Sequence, residues 1–254
     1  MKRIPPRPDI GHLKKQAKEL LAGYRHGDHA ALQRFRESLP AARDKDDNVL
    51  LAQSLRLHDA QSCLAREYGF PSWADLQAFV LARQVLEDTP GRALQHWLQM
   101  LYANDVAGGY NSSRPAVAIR LLEENPALPG DDPFLACAVG DEDSLRRATA
   151  QDPAWVNRAG GPLNLPPLVA VTHSGLANQP GFRERLRACA RFLLKAGASP
   201  DQSIGNRMHP ASVAQPDETE QLSALYGAAG KVHDPELTRL LLDAGANPDD
   251  GESL

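Results

Sequence analysis

Apolar positions along residues 11–90 recur at three- and four-residue spacing, the mark of helices that bury one face. Leu13, Ala17, Leu20 and Leu21 form one stripe, with Lys14, Lys15, Lys18 and Glu19 outside it. Gly23 and Gly27 bracket a turn. Asp28 is placed to cap a second helix carrying Leu32, Phe35 and Leu39, which Pro40 ends. Ala41 to Asn48 is polar and reads as a loop or a helix start. A third helix is expected over Leu50 to Tyr68, with Leu57, Ala60, Cys63 and Leu64 inward and Gly69 as its stop. Ser72 and Asp75 then form a capping box for a fourth, with a stripe of Trp73, Leu76, Phe79, Val80 and Val85. Tyr68 and Trp73 lie at helical spacing and are expected to fill the core of this small bundle. Residues 1–10, with Pro5, Pro6 and Pro8, read as an extended lead-in.

From about Arg92 the pattern becomes paired helices separated by turns. One helix ending occurs twice: Arg191 to Asp201 reads RFLLKAGASPD, and Arg239 to Asp249, 48 residues on, reads RLLLDAGANPD. A unit repeated at such a period is the mark of a stacked array, and arrays of this kind bind partners through an extended surface. In the last unit, Ala224 to Ala229 starts a first helix and Asp234-Pro235 caps the second, with Pro in the first helical position. Leu237, Leu240, Leu241 and Leu242 are expected to be buried. Gly245 falls where the chain turns left-handed, a conformation that costs a side chain roughly 1 kcal/mol. Asn247-Pro248-Asp249 leads the chain away.

These endings resemble the closing half of the ankyrin repeat, while the opening SALYGAAG departs from that family's TPLHLA-like start. Earlier units match more loosely. Pro167 to Gly175 is similar to a first helix, with a partner over Leu186 to Ala196 and an insertion between them. Asp132 to Ala138 fits another, its partner capped by Asp141 or Asp143 and leading to Asp152-Pro153. Ala93 to Tyr102 and Pro115 to Leu122 fit a still earlier pair, with Asn104 to Arg114 as a loop insertion. The resemblance implies an all-α fold. It implies further that residues 91–254 form a solenoid of stacked helical hairpins, after an N-terminal helical module over 11–90. A HEAT-type helical array is the alternative, and the AGA-x-PD endings argue against it. Arg66 to Val80 is similar to a helical segment that precedes ankyrin repeats in some bacterial proteins. Gly251 to Leu254 resembles the opening of a further repeat, so the natural chain is expected to continue; a short natural tail is the alternative.

Composition narrows the function classes. At 254 residues and 42% hydrophobic, the chain has enough apolar material for one or two cored domains. No apolar run approaches the ~18 residues of a membrane span, and the basic start lacks a signal-peptide core. Cys63, Cys137 and Cys189 are isolated and read as reduced cysteines of a cytoplasmic protein. The net charge of -4 is uneven: residues 1–45 carry +6 and residues 201–254 carry -7. The eight histidines include no HExxH and no zinc spacing. Gly108-Gly109 and Gly160-Gly161 lack a phosphate-cradling context, GxSxG is absent, and Asp46-Asp47 and Asp249-Asp250 are adjacent pairs that cannot converge as catalytic carboxylates do. No cofactor, no metal and no enzymatic activity are expected.

The resemblance implies a module that binds a protein partner through the concave first-helix face and the projecting turns. Transferred to this chain, that surface comprises His173, Tyr226 and Lys231 on or beside first helices. It also takes in the turn residues Asn157, Arg158, Asp201, Gln202, Asp249 and Asp250. The irregular segment Gln202 to Gln221 lengthens the repeat spacing from ~33 to 48 residues and either extends the groove or moves freely. Two alternatives stand beside this reading. One is a structural or inhibitory scaffold within a longer protein. The other is nucleic-acid association through Lys14, Lys15 and Lys18, which needs them to share a face with Arg3, Arg7, Arg25 or Arg34; overall acidity disfavours it.

Overall fold

The computed structural model describes residues 2–5, 7–88, 90–110 and 112–250, and only the backbone of residues 85–88, 90 and 91. The protein is mostly helical (60%), with little strand. Its contacts divide it into two compact units, Met1–Ala93 and Leu94–Leu254. The further-repeat opening at Gly251 to Leu254 and the inward position of Val85 lie outside the described residues.

The first unit holds α1 (Ile10–Arg25), α2 (His29–Ser38), α3 (Asp47–Leu51), α4 (Leu57–Glu67) and α5 (Trp73–Asp88). Helices α1, α2 and α4 pack mutually and α5 leans on α4, burying Leu13, Leu20, Leu32, Phe35, Leu64 and Phe79. Asp28 caps α2 through the Ala30 amide, and Ser72 with Asp75 forms the cap of α5, as the spacing predicts. The single helix expected over Leu50 to Tyr68 is instead two. Ser54 takes a positive φ of 50°, and the Asp59 carboxylate accepts from the Arg56 amide at 2.7 Å where α4 starts at Leu57. Tyr24 fixes the break: its hydroxyl donates to the Leu50 carbonyl at 2.8 Å and accepts from the Leu55 amide. Leu57 therefore stands at a helix start and is 36% exposed rather than inward. The lead-in is tied down, since the Lys2 amide donates to the Glu67 carbonyl and Ile4 is buried.

The second unit begins within α6 (Pro90–Leu101) and continues with α7 (Asn104–Ala107), α8 (Pro115–Glu124), α9 (Pro133–Val139) and α10 (Glu142–Gln151). After these come α11 (Pro167–Thr172), α12 (Arg183–Lys195), α13 (Ala224–Tyr226) and α14 (Pro235–Asp243). Helix α13 runs into a π-helical turn at Gly227–Lys231. Three helices start on aspartate caps: Asp132, Asp141 and Asp234 accept from the first amides of α9, α10 and α14, satisfying donors that have no partner within the helix. Gly197 and Gly245 have φ of 92° and 95°, the left-handed geometry read from the repeated ending. Helix α11 packs between α9 and α13, and α12 between α10 and α14. Leu237 and Leu241 are buried as expected, but Leu240 is only half-buried and Leu242 faces outward at 42% exposure.

The segment Gln202 to Gln221 is irregular only over residues 207–216. It forms an antiparallel hairpin of β1 (Ser203–Asn206) and β2 (Asp217–Ser223). Ile204 faces Leu222, and a bulge follows Gly205. The mostly helical content is consistent with the all-α expectation, to which the described residues add this one two-stranded sheet. Among the described residues, no helix is long and apolar enough to cross a membrane.

Candidate functional site

Two departures from regular helical pairing, residues 104–114 and 202–221, come together in the second unit. Arg207, at the end of β1, joins them. Its amide donates to the Asp105 carbonyl at 2.8 Å, and its guanidinium donates to the carbonyls of Val106, Leu163 and Asn164. Arg207 is only 3% exposed, and this burial lowers its pKa from the ordinary arginine value, with Glu218 opposing. A buried guanidinium spent on backbone carbonyls pins the hairpin root to α7 and to the turn before α11. Gly108 ends α7 at φ 75° and faces Val213 of the hairpin loop. Above this anchor Tyr110 is 77% exposed and lies 4.8 Å from the His209 ring, and Met208 is 49% exposed. Large apolar side chains held outward on a fixed support are the material of protein recognition.

Beneath the rim lies a polar cluster. Lys231, at the end of the π turn, donates to Asp105 Oδ2 on α7. Its ammonium sits 5.7 Å from the centre of the Tyr226 ring, which in turn lies 6.2 Å from the ring of His173. His173 Nδ1 is 3.2 Å from Thr172 Oγ1. Gly227 permits this approach, because a Cβ there would fall 2.5 Å from His173 Nδ1 and 2.6 Å from Thr172 Oγ1. Burial pushes the His173 pKa down to about 4, with Asp105 opposing and Lys231 assisting. Asp105 Oδ1 and His173 Nε2 have no hydrogen-bond partner among the described residues. π-Helical turns inside helical structure occur frequently at functional sites.

The structure brings His173, Tyr226 and Lys231 together, but His173 is buried at 6% exposure rather than displayed, because α13 and its π turn close over it. Gln202 is likewise buried at 8%. Its amide group donates to the Val156 carbonyl at 2.6 Å and accepts from the Leu168 amide at 2.8 Å, a bridge between neighbouring turns. Asn157 accepts from the Ser199 amide, and Asp201 accepts from the Asn247 amide, both at 2.7 Å. Asp250 accepts from the Ser223 hydroxyl. Arg158 is exposed and paired with Asp152, and Asp249 is exposed.

No family model, no curated protein and no solved structure matches the chain.

Sequence reading missed Asp105, Arg207, Tyr110 and Met208. None carries a local signal: Asp105 is defined by Lys231, 126 residues away, and Arg207 by carbonyls that only the folded hairpin reaches. The three cysteines are buried and free, and burial raises Cys63 to about 11 and Cys189 to about 12, so their thiols stay protonated at neutral pH. Among the described residues, no three His, Cys, Asp or Glu side chains converge as a metal site requires. In the first unit Arg34 makes a bidentate pair with Glu67.

Proposed function

We propose that this protein is an ankyrin-type binding module that holds a protein partner on the face built by its two insertions. The observation that carries the reading is the anchored rim: Tyr110, Met208 and His209 project from segments that buried Arg207 fixes in place. A surface fixed before binding loses little entropy when a partner docks. The solenoid part of the reading is supported by bonds that recur one unit apart. The Asn157 side chain accepts from the next turn at Ser199, and Asp201 does the same from Asn247. It is supported too by the stacking order of α9, α11 and α13 and by the paired left-handed glycines. No enzymatic activity and no cofactor enter this proposal.

The test is affinity capture from a bacterial lysate, washed at roughly 0.3 M salt to screen surface charge. Wild type is compared with a Tyr110→Ala, Met208→Ala double variant, whose folding is checked by circular dichroism. A discrete protein retained by wild type and lost from the folded variant supports the reading. Equal retention by both removes this face from the binding surface.

A further inference from the structure

The second unit carries a second, differently built groove. It lies between α10 and α12, whose facing positions follow helical spacing. Ala188 and Phe192 of α12 and Ala196 at its C-cap, each four residues apart, line it with apolar surface. Arg146 of α10 closes over the ring, its guanidinium carbon 4.8 Å from the Phe192 centroid. Arg191 and Lys195 border the α12 side, and Glu142 completes the lining.

The charges of this groove are unequal. Its lining sets Arg146, Arg191 and Lys195 against the single carboxylate of Glu142. Arg146 pairs with Glu142, and Arg191 reaches Glu236 at 3.1 Å. Both arginines stay about half exposed, at 59% and 48% of the side chain. Lys195 is exposed, and no ion pair engages it among the described residues. A positive border around an apolar floor is complementary to a chain segment that alternates carboxylates with an aliphatic side chain.

We infer that the α10–α12 groove is a docking site for an acidic protein segment. An aliphatic side chain rests on Ala188, Phe192 and Ala196, and flanking carboxylates meet Lys195, Arg191 and Arg146. A nucleic-acid backbone fits less well. The apolar floor of Ala188, Phe192 and Ala196 gives a phosphodiester nothing to bury. This site is separate from the insertion face and does not depend on what binds there.

The test uses the full chain and a short fluorescein-labelled peptide of glutamates interrupted by leucines, followed by fluorescence anisotropy. Saturable binding is expected, weakening as salt rises. Lys195→Glu should weaken it about tenfold, and replacing the peptide leucines by serines should do the same, each corresponding to loss of ~1.4 kcal/mol. Arg147→Glu makes the same charge change on an exposed residue of α10 outside the groove and should leave affinity within about twofold. Absence of saturable binding, equal loss in the Arg147 variant, or undiminished binding of the serine peptide would each overturn the proposal. Tighter binding of a single-stranded oligonucleotide than of the peptide would overturn it as well.

Discussion

The insertion face and the α10–α12 face of the second unit use the same kinds of charged residue under opposite conditions. Around the insertions, Asp105, His173 and Arg207 are buried, and each leaves one polar atom without a partner. Along α10 and α12, Glu142, Arg146, Glu184 and Arg191 stand in solvent and pair along or between helices. Water screens the second set, so each pair adds little to stability. The first set has no such screening, and its bonds decide whether the insertions hold their shape. Arg187 marks the border between the two regimes: it reaches from the outer network to Asp234, whose side chain is 2% exposed.

The sharpest way to break the contrast is Arg207→Ala. It leaves the carbonyls of Val106, Leu163 and Asn164 without their donor and empties a buried volume. At ~1–3 kcal/mol for each orphaned group, partly relieved by water, a loss of about 4 kcal/mol is expected in urea unfolding. Arg187→Ala comes next. It strips the bidentate partner from Asp234, at 2.7 and 2.9 Å, and leaves that carboxylate only its cap amides, costing about 3 kcal/mol. Although burial raises the Asp234 pKa, the Arg187 bonds and the cap amides outweigh it and hold the pKa below the usual aspartate value. This contribution is therefore present above the unfolded aspartate pKa and lost as pH falls through the folded one.

His173 gives a pH-dependent effect. Its folded pKa of about 4 lies below the ordinary 6.5, so below 6.5 the unfolded chain takes up a proton that the folded chain refuses. Stability contributed by the neutral ring is complete above pH 6.5 and declines as pH falls toward 4. The shift, which already includes the charges of Asp105 and Lys231, is worth on the order of 3 kcal/mol once both states are protonated. A His173→Gln variant should unfold with a flatter dependence across that window, and an unchanged slope would remove His173 from the account. The smallest effect belongs to Arg146→Ala, whose exposed pair with Glu142 should change stability by ~0.5 kcal/mol or less.

What the sequence revealed follows from how local each signal is. Asp28, Ser72 with Asp75, Asp141 and Asp234-Pro235 cap helices where their spacing put them, because a cap bonds to amides two or three residues away. Gly197 and Gly245 were legible for the same reason, since the left-handed turn is a property of one residue. The β-hairpin was not. Strand β2 opens with four consecutive exposed residues, Asp217 to Glu220, so it shows none of the alternation that marks a half-buried strand. Its pairing with β1 depends on a turn and bulge that the polar sequence does not announce. The break between α3 and α4 was hidden likewise, because it depends on a tyrosine hydroxyl reaching across from α1. His173 sat at a plausible binding position in the sequence, and only packing beneath Gly227 shows that it lies within the fold.

The central claim is that the two insertions form one anchored face that binds a protein. Hydrogen–deuterium exchange of the full chain, with and without the partner recovered by capture, tests it most directly. The account predicts new protection in residues 104–110 and 207–213 together, with α10 and α12 unchanged by that partner. Protection confined to other segments, or to one insertion without the other, would contradict it.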